Sequence, residues 1–70
     1  MIETFVPSSS HLDRVDYDSD VQNLTVTFKD GRSYLYRSVP HDVYLGLQNA
    51  RSAGKYFDTN VKTRYDGEEV

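Results

Sequence analysis

The chain of 70 residues contains no cysteine and no tryptophan, and only one methionine, two prolines and four glycines. Without cysteine there is no disulfide framework and no thiolate metal site, and such a chain suits a reducing compartment, which points to the cytoplasm. No run approaches the ~20 consecutive apolar residues of a membrane-spanning helix. The opening "MIETFVPSSS" has neither the basic nor the apolar stretch of a secretion signal, so no membrane partner is expected. In that setting "NLT" at Asn23 to Thr25 spells a glycosylation acceptor by chance alone.

Chemistry-bearing clusters are equally scarce. His11 and His41 are the only histidines, and neither has a histidine or cysteine at metal-ligand spacing, so neither metal nor cofactor is expected. Asp16, Asp18 and Asp20 match the first three ligand positions of an EF-hand loop. The match then fails, because Val21 stands where glycine is needed and Thr27 where a bidentate glutamate is needed. Ser8, Ser9 and Ser10 precede His11 without an oriented base or an oxyanion hole, and no glycine-rich phosphate loop appears. These exclusions favour a binding module over an enzyme.

What the chain does have is aromatic residues and segregated charge. Six tyrosines and three phenylalanines make up 13% of the sequence, which is 37% apolar and 27% charged and fits a single domain over residues 1–70. The net charge of -3 conceals a bipolar chain: residues 1–31 carry -4, residues 32–65 carry +4, and the last five return -3. The second half can therefore build a basic face despite the acidic total.

Residues 1–9, with their Pro-Ser-Ser-Ser stretch, read as an irregular lead-in, and 66–70 as a frayed acidic tail. Between them "RVDYD" alternates as a strand, with Val15 and Tyr17 on one face. "DSDVQN" is turn chemistry, and in "LTVTFK" Leu24, Val26 and Phe28 share a face opposite Thr25 and Thr27. "KDGR" signals a hairpin and "SYLYR" the returning strand, so a three-stranded antiparallel meander results.

Hairpin register decides where Tyr34 and Tyr36 point, because a slip of one residue moves both to the other face. A two-residue turn at Asp30-Gly31 sets Tyr34 across from Thr27 and turns both rings away from the core. A three-residue loop over Lys29, Asp30 and a left-handed Gly31 sets Val26 across from Tyr34 and Leu24 across from Tyr36. Asp-Gly serves either turn, and the need of a small domain for large interior side chains favours the second.

After Pro40, which suits a helix start, Val43, Tyr44, Leu47 and Ala50 recur at helical spacing, with Asp42 near the positive end. Gly46 weakens this helix and marks a close approach. Ser52 can cap a second, shorter helix in which Phe57, Val61 and Tyr65 lie four residues apart and Tyr56 flanks them. The expected fold is α+β, the meander being followed by two helices packed on one of its faces.

The pattern "YxY" after "FxxG", then "VPxxVYxxLxxAxSxGxYF" and a late tyrosine, is similar to the KTSC domain, named after the C-terminus of some lysyl-tRNA synthetases. The resemblance runs from about Ser9 to Tyr65 through Tyr17, Leu24, Phe28, Gly31, Tyr34, Tyr36, Pro40, Tyr44, Leu47, Ser52, Gly54 and Phe57. It implies a C-terminal appendage or a free-standing bacterial or phage protein, with RNA as the partner usually proposed. Asp58 departs from the asparagine expected there and adds negative charge beside the basic half.

Two binding roles follow as expectations. In the first, Arg37, Arg51, Lys55, Lys62 and Arg64 engage RNA phosphates while Tyr34, Tyr36 or Tyr65 stacks on a base. In the second, the tyrosines and acidic segments hold a protein, such as the host target of a phage- or mobile-element-encoded regulator or inhibitor. Monomer and homodimer both stay open, since two copies could pair exposed sheet edges.

Overall fold

The computed structural model describes residues 1–70 as an α+β fold, an antiparallel sheet with helices on one face. The sheet has five strands rather than three: β1 (Ile2–Phe5), β2 (Leu12–Asp18), β3 (Asn23–Phe28), β4 (Ser33–Tyr36) and β5 (Gly67–Glu69), paired in that order. Helices α1 (His41–Asn49) and α2 (Ala53–Phe57) connect β4 to β5, and α2 runs on into a π-helical turn over Asp58–Lys62. The lead-in and the tail thus become the two outer strands. No helix is long and apolar enough to cross a membrane.

Alternation explains the inner strands. Val15 and Tyr17 of β2 and Leu24 and Val26 of β3 are fully buried, while Arg14, Asp16, Thr25 and Thr27 face the other way. Leu12 breaks the period of two yet is also fully buried, because a β-bulge between Leu12 and Arg14 gives β2 an extra residue. At the β3–β4 hairpin the three-residue loop is the one adopted. Gly31 has φ +95°, its amide donates to the Phe28 carbonyl at 3.0 Å, and Val26 and Leu24 face Tyr34 and Tyr36. Tyr36 is consequently 4% exposed and Tyr34 half-buried.

The helices behave as their residues demand. Pro40 sits at the N-cap of α1, where its missing amide costs nothing. The Ser52 hydroxyl accepts from the Lys55 amide at 3.3 Å and starts α2. Tyr44, Leu47, Phe57 and Val61 bury against the sheet, and the Tyr17 hydroxyl donates to the Val39 carbonyl at 2.6 Å, tying β2 to the lead into α1.

Gly46 does mark a close approach, but of a ring rather than a backbone: a Cβ there would overlap the Tyr56 phenol of α2. Gly46→Ala would otherwise stabilise α1 by about 1 kcal/mol. Here overpacking against Tyr56 should reverse the sign and destabilise by about 1–3 kcal/mol. The same change in a Tyr56→Ala background should be neutral or stabilising. Urea unfolding of the four proteins measures this cycle, and a Gly46→Ala protein more stable than its parent would contradict it.

Candidate nucleic-acid interface

The two faces of the sheet differ sharply. One row across all five strands of the open face reads Thr4, Asp16, Thr25, Leu35, Glu68. The neighbouring row on the helix-covered face reads Glu3, Tyr17, Leu24, Tyr36, Gly67. The open face therefore carries no aromatic ring, and its cations are occupied. Arg14 bonds Asp16 at 2.9 Å, and Arg37 grips Glu68 through both terminal nitrogens at 2.9 and 3.5 Å. That grip holds the Glu68 carboxyl below the usual carboxylate range and raises the Arg37 guanidinium. Arg37 is thus a clasp between β4 and β5 rather than a free phosphate contact.

One group of rings, distinct from the Phe5, Tyr17, Tyr44 and His41 stack, borders a cleft of about 310 Å³ between helix and sheet. Phe28 at the end of β3 meets Tyr34 edge-on with centroids 5.7 Å apart, and Phe57 of α2 at 5.6 Å. Phe57 meets Tyr36 in the same way at 5.7 Å. The exposed His11 ring lies nearly parallel to Phe28, 15° from its plane with centroids 6.3 Å apart. Around these rings stand Arg32 and Asp30 of the hairpin and Asp58 and Lys62, the first and last residues of the π-helical turn. Wide turns of this kind recur at functional sites.

The cleft's polar groups are largely unspent. Lys62 and Asp58 make no ion pair, and Arg32 reaches Asp30 only at 3.9 Å with both side chains more than 60% exposed, a contact worth little in water. Tyr36 lines the cleft, its hydroxyl lying beside Gly67 and making no side-chain hydrogen bond. Burial, and then the neighbouring Tyr34, pushes its phenol up, so it remains a donor at neutral pH.

Of the residues proposed from sequence, Tyr34, Tyr36 and Lys62 meet here. The others disperse. Arg51 lines a separate groove of about 190 Å³ with Phe5, Pro7 and Leu47, and Lys55 and Arg64 are exposed but border neither recess. Tyr65 is half-buried and packs on the core. Of the five cations expected to form one patch, Arg37 pairs with Glu68 on the open face, Arg51 borders the other groove and Lys62 alone borders the cleft. Phe28, Arg32 and His11 are the additions that sequence reasoning missed. The first two follow from the Gly31 loop, which bonds the Phe28 amide to the Arg32 carbonyl at 2.8 Å. His11 arrives through the Lys29 amide, which donates to its carbonyl at 2.9 Å across 18 residues of chain.

The family model for the KTSC domain matches residues 8–65. The chain belongs to the KTSC domain family. A lysine–tRNA ligase of Trichormus variabilis is 36% identical over 64 residues, covering 91% of this chain and 11% of the ligase. A second lysine–tRNA ligase, from Nostoc punctiforme, is 33% identical over the same shares. This KTSC domain therefore spans about a tenth of the length of those enzymes. A protein of Tsukamurella paurometabola is 37% identical over 57 residues, 81% of this chain and 85% of its own. The crystal structure of a KTSC domain protein from Yersinia pestis superposes with a TM-score of 0.89 at 27% identity, over 100% of this chain and 99% of that one. The family match leaves out both outer strands, β1 and β5.

Proposed function

We propose that this KTSC domain is a non-catalytic RNA-binding module that holds an unpaired nucleotide in the cleft at Tyr34. The observation that carries the reading is the coincidence of half-exposed rings with two cations at one opening, set against a sheet face with no ring and with its arginines already paired to carboxylates. Tyr34 and Phe28 offer a stacking wall, Arg32 and Lys62 offer phosphate contacts, and Asp30, Asp58 and the Tyr36 hydroxyl can meet a base edge. Relatives named lysine–tRNA ligase carry the same module within a protein whose substrate is an RNA.

With two cations rather than five at the site, affinity for a single strand should fall with salt at a log–log slope of about -1.4. Lys62→Ala should bring the slope to about -0.7. Tyr34→Ala should weaken binding by roughly 5- to 150-fold, the loss of one stacked base, while leaving the fold intact. Fluorescence anisotropy with a labelled single-stranded RNA at several salt concentrations reads all three. Binding indifferent to Tyr34 and Lys62, or none at low salt, would refute the assignment.

A protein partner is the second reading, favoured by β1, an outer strand with Ile2 61% exposed and Val6, just beyond it, 74% exposed. A partner captured from lysate that survives nuclease treatment and is lost on Ile2→Lys would support it instead.

A further inference from the structure

We infer that the site takes two consecutive nucleotides of the strand, with the His11–Phe28 ring pair standing between them; this rests on the RNA-binding reading. The cleft at Tyr34 is not isolated. A second recess of about 270 Å³ lies beside it, bordered by Ser10, His11, Phe28, Lys29 and Asp30. The two recesses share His11, Phe28 and Asp30, so together they form one groove with the ring pair as its common wall.

Charge follows the same division. Lys62 borders the first recess only and Lys29 the second only, and neither makes an ion pair. A cation at each end of a ring-walled groove matches the phosphate–base–phosphate repeat of a single strand, where aromatic surfaces hold successive bases and cations track the backbone. Asp30, common to both recesses, accepts the Arg32 amide through Oδ1 at 3.0 Å and keeps Oδ2 to accept from the exocyclic amine of a base.

The wall is held in place by the backbone as well as by stacking. The Lys29 amide donates to the His11 carbonyl, and the Ser9 hydroxyl accepts from the His11 and Leu12 amides at 3.2 and 3.1 Å, fixing the turn into β2. Lys29 leaves the hairpin exposed, so its side chain can be truncated without touching the core.

Amide-resolved NMR titration of the intact chain with cytidine monophosphate, a cytidine dinucleotide and a trinucleotide tests this. The dinucleotide should bind at least about 5-fold more tightly than the mononucleotide, the smallest gain expected of a second stacked base. The trinucleotide should add less than about 3-fold beyond it, since no third stacking surface is present. Lys29→Ala should reduce the dinucleotide's advantage, and Arg14→Ala on the open sheet face should preserve it. Equal affinities for mononucleotide and dinucleotide, or an advantage unaffected by Lys29→Ala, would overturn the two-nucleotide groove and leave RNA binding standing. Absence of shifts with all three and with a longer strand would overturn both.

Discussion

Phe57→Ala should destabilise the domain by about 3–5 kcal/mol, the cost of emptying a buried phenylalanine site. Phe57 is 2% exposed and sits where α2 meets the sheet, edge-on to Phe28 at 5.6 Å and to Tyr36 at 5.7 Å. Truncation removes both edge-to-face contacts together with the apolar burial. Neighbouring rings cannot close the gap, because Tyr36 is held in register by β3 and Phe28 by the hairpin. At roughly 0.05–0.15 kcal/mol per residue, a domain of this size holds only about 3.5–10 kcal/mol in total. The variant should therefore lose a large share of the domain's stability. Urea unfolding followed by circular dichroism measures it, and a loss under about 1 kcal/mol would mean that the helix layer is not keyed to the sheet through this ring. Because Phe57 also floors the cleft, ligand binding should disappear with the fold rather than separately.

Stability should also fall in alkali. Tyr17, Tyr36 and Tyr44 are 0%, 4% and 1% exposed, and burial is the main cause raising each phenol. Glu3 adds to the effect at Tyr17 and Tyr44, and Tyr34 at Tyr36. In the unfolded chain the same groups ionise near pH 10. The folded state therefore holds more protons than the unfolded state above that point, so stability is complete below about pH 10 and declines as pH rises toward the folded-state values. Urea titrations at about pH 8 and at two points above pH 10 would show the decline. A flat unfolding free energy across that range would mean that these phenols reach water in the folded state.

The inner part of the fold was legible because its signals are local. Alternation in "LTVTFK" marked a half-buried strand, Asp-Gly marked the hairpin while leaving two registers open, of which the need for large interior side chains favoured the one adopted, and Ser52 announced its own helix. The family signature was legible for the same reason, since its positions lie in those inner elements. The outer strands carry no such pattern. β5 is short, acidic and exposed, and it adds to the sheet because Gly67 can lie against the Tyr36 ring, where a Cβ would come within 2.8–3.0 Å of it, and because Arg37 waits to pair Glu68.

Residue order alone indicated the three inner strands, the two helices and the family to which the chain belongs, because each depends on neighbours a few positions apart, while it left the register of the central hairpin open between two turns and missed both outer strands. Only the folded chain decided that Arg37 pairs with Glu68 of β5, that Arg51 and Lys62 border different recesses, and that His11, Phe28, Arg32 and Lys62 share one groove. Those outcomes depend on a bulge, a π-helical turn and pairings across 18 to 31 residues, which set side-chain direction through long-range geometry that periodicity does not encode.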